Sequence, residues 1–149
     1  MGGPRRRGRA ILLVEDNADD EALTLRAFRK NNLTNEIIVK RDGAEALAWL
    51  FDEEREVDPQ VVLLDLKLPK VDGLEVLRRI RADSRTSLLP VVILTSSSVE
   101  SDLVRGYELR ANSYIRKPVD FQRFIDAARE IGLYWLVMNE TPGVRPPTK

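Results

Sequence analysis

The chain has 149 residues, 43% apolar and 32% charged, the balance of one soluble globular domain with a real core. Lys+Arg and Asp+Glu are 24 each, and the absence of a basic excess argues against a nucleic-acid partner. There is no cysteine and no histidine. That excludes a disulfide, a thiolate or imidazole metal ligand, a cysteine nucleophile, a Ser-His triad and a phosphohistidine on this chain.

Residues 1–9 (MGGPRRRGR) are expected to form a flexible basic tail, with no signal-peptide apolar segment behind them. No apolar run approaches bilayer-spanning length, so a cytoplasmic location without membrane contact is expected. Residues 10–14 (AILLV) are too few for a helix and read as a buried strand. Apolar residues at Ala22, Leu25, Ala27 and Phe28 predict a helix over 19–30, capped by Asn17, with Asp20 favouring the dipole of its first turn. Residues 37–39 are a short strand. The run Asp42, Gly43, Ala44, Glu45 resembles a capping box ahead of Ala46, Leu47, Trp49 and Leu50 on a second helix. An acidic loop is expected over 53–59.

Residues 61–64 are the clearest strand, ended by Asp65. Pro69 makes 66–71 a loop, and Asp72 opens a third helix bearing Leu74, Val76, Leu77 and Ile80. Residues 91–94 (VVIL) are a fourth strand, and Ser97 or Ser98 can cap a fourth helix through about Leu109. Residues 113–115 form a last strand, and Asp120 caps a long final helix over 121–139. The domain is thus expected over 10–140, with a disordered proline-rich tail over 141–149.

This is β-α repeated five times. Strands apolar on both faces imply a parallel sheet covered by helices on each side. Right-handed crossovers make it a doubly wound α/β three-layer sandwich of flavodoxin-like type, with strand order 2-1-3-4-5. Ligands in such sheets bind beyond the carboxyl ends of the strands, where the order reverses. Glu15 and Asp16 follow the first strand and Asp65 ends its neighbour, with strands about 5 Å apart. Carboxylates this close repel, and oxygen-only ligands suit Mg²⁺, which keeps several waters and also binds phosphate oxygens. Asp65 can attack as a carboxylate and form an acyl phosphate. Lys117, after the fifth strand, can serve as a point charge for a phosphate oxygen, and Thr95, ending the fourth, can donate a hydroxyl.

The motifs VEDN, LLDLKLPKVDG, VVILTSS and SYIRKP, in this order and spacing, resemble the response-regulator receiver domain of two-component signalling. The resemblance covers about residues 9–129. It implies that Asp65 is the phosphoacceptor and that Asp16 is a Mg²⁺ ligand. It also implies that Glu15 acts mainly through bound water and that Lys67 gives its backbone carbonyl. Thr95 would be the switch hydroxyl, Lys117 the family's lysine, and Tyr114 the switch aromatic, with a cis bond between Lys117 and Pro118. A partner histidine kinase would supply the phosphoryl group. The domain would catalyse phosphotransfer and its own dephosphorylation without being an enzyme in the ordinary sense. The rival reading is a constitutive binding module that ignores phosphorylation. A haloacid-dehalogenase phosphatase needs a second Asp two residues after the nucleophile, where this chain has Lys67.

Only a short tail follows the last helix, so the chain reads as a stand-alone receiver whose output is expected to be binding to another protein, relay or dimerisation. Residues 131–138 (IGLYWLVM) are apolar on nearly all sides, more than one small domain can cover, which suggests an interface. A homodimer, ahead of a kinase-docking surface, is expected through Ile131, Tyr134, Trp135 and Met138, with Tyr134 and Trp135 as its anchors. The ending YWLVMNETP and the segment RDGAEALAWL are similar to receivers that partner bacterial phytochrome kinases.

Overall fold

The computed structural model describes residues 6–31, 33, 35–95 and 108–130. Nine elements follow one another among them: β1 (Arg6–Val14), α1 (Ala18–Lys30), β2 (Ile37–Lys40), α2 (Gly43–Leu50), β3 (Val57–Asp65), α3 (Gly73–Ala82), β4 (Val91–Thr95), β5 (Ser113–Arg116) and α4 (Phe121–Glu130). The strands form one parallel sheet in the order β2-β1-β3-β4-β5, the expected doubly wound arrangement.

Side chains alternate across the sheet and so divide into two cores. Ile11, Leu13, Val61, Leu63, Val92, Leu94 and Ile115 meet Phe28 of α1 and Phe124 and Ile125 of α4. Leu12, Val14, Val62, Leu64 and Ile93 meet Leu47 and Leu50 of α2 and Val76, Leu77 and Ile80 of α3. Phe28 and Phe124 lie 4.7 Å apart between ring centroids and join α1 to α4 on their side of the sheet.

The helix starts are read correctly from the sequence. Asn17, Asp42, Asp72 and Asp120 each accept from the backbone N–H three residues on, at 2.8–3.0 Å. Glu45 completes its end of the box one residue upstream, on the N–H of Arg41 at 3.3 Å.

Two boundaries and one helix face differ from the sequence reading. β1 starts at Arg6, so residues 6–9, expected in the tail, are strand, and Arg6 pairs with Val57. β3 starts at Val57, inside the expected acidic loop, and contains Pro59. The reason is local: β4 joins β3 only from Val62, and the β1–β3 register shifts beside Ala10 and its partner Pro59. A proline without an N–H is tolerated at such an irregular, half-paired stretch. On α1, Ala22 is exposed while Thr24 is buried, so the apolar stripe is narrower than expected.

Of the expected helix from Ser97 or Ser98, only its end near Glu108 is described, and the final helix is described to Glu130. Ile131, Tyr134, Trp135 and Met138 lie outside the described residues. Among the described residues no helix is long and apolar enough to cross a membrane.

Candidate functional site

Register brings the site together. Val14 lies opposite Leu64, so Glu15 and Asp65 follow side by side at the switch point of the sheet. Asp65 lies opposite Leu94, and Thr95 opposite Arg116, so Thr95 and Lys117 belong to the same edge. Parity selects the face. Leu13, Leu63 and Ile115 point into the core under α1 and α4, and two residues on come Glu15, Asp65 and Lys117.

Lys117 Nζ is the centre of the cluster. It lies 2.7 Å from Glu15 Oε1, 2.7 Å from Asp65 Oδ2 and 3.0 Å from Asp20 Oδ2. The other oxygen of Asp65 accepts from the Lys67 backbone N–H at 3.0 Å. Glu15 Oε2 accepts from the Asn17 N–H at 3.2 Å. The bond between Lys117 and Pro118 is cis.

Burial makes these charges interact strongly. Glu15 is 1% exposed and Asp65 5%. Desolvation pushes the Glu15 carboxyl up from 4.5 to about 7; Lys117 pulls it down and the neighbouring Asp65 pushes it further up. Burial also works against the charge of Lys117. Its bonds to Asp65, Glu15 and Asp20 outweigh that and hold its pKa above the ordinary lysine value.

Glu15, Asp16 and Asp65 each place a carboxylate oxygen within 4.8 Å of the others. Asp16 is exposed while its two neighbours are buried, so the cluster opens to solvent on one side. An all-oxygen donor set, partly closed by protein, fits a hydrated Mg²⁺.

Gly73 lets α3 approach this edge. A Cβ there would stand 2.3 Å from the Asp65 carbonyl oxygen and 2.6 Å from Leu66 Cα. The Gly73 N–H instead donates to Leu66 O at 2.9 Å, closing the loop that carries Lys67. Tyr114 is half-buried on β5, packed against the core under α2 and α3.

The structure therefore brings together Glu15, Asp16, Asp65, Lys67 and Lys117, with Thr95 at the adjoining strand end. Sequence reasoning assigned Asp20 to the helix dipole alone and missed its bond to Lys117. The available signal was spacing: Asp20 stands one helical turn beyond Asp16, on a helix that starts directly after β1. Gly73 was also missed, since close backbone approach has no local signature.

A doubly wound parallel sheet with a buried Asp-Lys pair and an acidic cluster at its switch point is the architecture of a phosphoacceptor switch. The response regulator receiver domain family model matches residues 11–129, and the chain belongs to that family. It is 46% identical over 136 residues to the probable methanogenesis regulatory protein FilR2 of Methanothrix harundinacea, covering 89% of this chain and 87% of that protein. The solved bacteriophytochrome response regulator AtBRR is 51% identical with a TM-score of 0.79, over 89% of this chain and 99% of that one. Response regulator Rcp1 of Synechocystis is 37% identical over 86% of this chain and 89% of that protein. Its Mn²⁺-bound form has been solved and superposes with a TM-score of 0.70, at 35% identity over 94% and 99% of the two chains.

Proposed function

We propose that this receiver accepts a phosphoryl group on Asp65 from the phosphohistidine of a sensor histidine kinase and changes its protein-binding surface in response. The observation that carries this reading is the setting of Asp65. One oxygen is 2.7 Å from Lys117 Nζ, the other 3.0 Å from the Lys67 N–H, and two further carboxylates stand within 4.8 Å.

In the proposed step an Asp65 oxygen attacks phosphorus, the P–N bond to the donor imidazole breaks, and the imidazole leaves with its electron pair. Lys117 is held where charge accumulates on the phosphoryl oxygens and needs no reorganisation. Asp16, Asp65 and the Lys67 carbonyl would hold Mg²⁺ directly, with Glu15 acting through a water. The cation supplies neutralisation of the phosphoryl charge. Thr95 would turn to the phosphoryl group and Tyr114 inward, a population shift driven by contacts available in only one state. Water would later hydrolyse the acyl phosphate, within the same site.

The likeness to AtBRR, named a bacteriophytochrome response regulator, supports a bacteriophytochrome as the kinase. A homodimer through Ile131, Tyr134, Trp135 and Met138 is supported by the apolar sequence of 131–138. Truncation before Ile131 should lower the mass measured by light scattering; an unchanged mass would remove the dimer.

Beryllofluoride tests the switch itself. With Mg²⁺ it should bind the wild-type protein and not Asp65→Asn. Failure to bind wild type would sink the switch and leave a constitutive binding module. Phosphotransfer from a panel of histidine kinases would then identify the donor.

A further inference from the structure

We infer that Asp20 is a positioning residue for phosphoryl transfer: from the first turn of α1 it anchors the Lys117 ammonium so that the charge stays aimed at the phosphoryl group when Asp65 is phosphorylated. The inference rests on the proposed phosphorylation of Asp65.

An ammonium has three N–H donors. In the structure three carboxylates surround it: Glu15 and Asp65 at 2.7 Å and Asp20 at 3.0 Å. Phosphorylation converts the Asp65 carboxylate into a mixed anhydride, and the Lys117 N–H that it accepted becomes free for a phosphoryl oxygen. Lys117 is then fixed only by its remaining partners. Glu15 lies at the end of β1, on the sheet edge shared with the reacting atom. Asp20 reaches the nitrogen from a different element, across the layer between sheet and helix.

Two anchors from different directions hold a long, rotamer-rich side chain in one place; one anchor leaves it free to swing. The Asn17 cap, bonded to the Asp20 N–H at 2.9 Å, fixes the first turn of α1 and with it the Asp20 side chain. Lys117 keeps only 10% of its side-chain surface, so its head is already desolvated before the phosphoryl group arrives. Asp20 itself is a third exposed and lies at the mouth of the site. Its link to the reacting carboxylate runs through Lys117, which donates to both.

A double-mutant cycle with beryllofluoride at saturating Mg²⁺, read by ¹⁹F NMR titration, tests this. Asp20→Ala should weaken binding roughly tenfold, the scale of couplings inside one hydrogen-bonded network. In a Lys117→Met background the same substitution should change affinity less than about twofold. Asp20→Asn keeps an acceptor and should recover part of the loss. If binding to Lys117→Met is too weak to titrate, the lifetime of the acyl phosphate formed from acetyl phosphate replaces affinity in the same cycle. Equal effects of Asp20→Ala in both backgrounds, or none in wild type, would overturn the anchor while leaving the switch intact. Absence of binding to wild type would instead overturn the switch and the anchor with it.

Discussion

Replacing Glu15 by glutamine should stabilise the metal-free protein, and the gain should depend on pH in a defined window. Glu15 is 1% exposed, and burial raises its pKa from 4.5 to about 7. In the unfolded chain it releases its proton near 4.5. Between 4.5 and 7 the folded protein therefore holds a proton that the unfolded chain has lost. Stability from this group is full below pH 4.5 and falls as pH rises, by about 1.4 kcal/mol per pH unit, until it levels off above 7. A shift of this size corresponds to about 3 kcal/mol. Glutamine has the same shape and cannot ionise. In EDTA, urea denaturation of the two proteins should give similar free energies at pH 4 and a gap approaching about 3 kcal/mol at pH 8, with Glu15→Gln the more stable. Mg²⁺ should narrow the gap, because a cation bound only by the folded protein favours the carboxylate. A gap that stays constant from pH 4.5 to 7, or a glutamine variant less stable at pH 8, would refute the reasoning.

Gly73→Ala should cost about 1–3 kcal/mol, the range for forced overpacking, because its Cβ meets Asp65 O at 2.3 Å. Thermal melting measures that loss, and weaker beryllofluoride binding should accompany it. Phe124→Ala should cost about 3–5 kcal/mol in urea denaturation, since this ring is 1% exposed and packs on Phe28. Asn112→Ala removes the acceptor for the Val91 N–H at 2.8 Å and a partner of Arg81. It should lose about 1–3 kcal/mol, whereas Asn112→Asp, which keeps the acceptor, should lose less.

Much of the fold was legible because its signals are local. Short apolar runs such as AILLV and VVLL cannot be helices, and Asn17, Asp42, Asp72 and Asp120 mark helix starts by side-chain chemistry alone. The same locality explains the errors. Pro59 looks like a strand breaker, and only the absence of a β4 partner beside it makes it admissible. Ala22 fits a helical stripe by spacing, yet α1 presents Thr24 and Phe28 to the sheet instead.

The candidate site divides in the same way. The residues after strands, Glu15, Asp16, Asp65 and Lys117, are determined by the sequence, because strand ends and topology place them on one edge whatever the detailed packing. The alternation of strands and helices also determines a parallel sheet, and the right-handed rule for crossovers then assigns each helix to a face once the strand order is set. What only the tertiary structure decided is the depth and partnering of each charge. Glu15 is buried and Asp16 exposed although they are neighbours, because alternation turns one toward the core under α1 and the other toward solvent. Asp20 joined the site because a helix laid on the sheet carries its first turn across to Lys117, a contact between positions 97 residues apart. No local pattern encodes such a contact, since it depends on where one layer comes to rest on another.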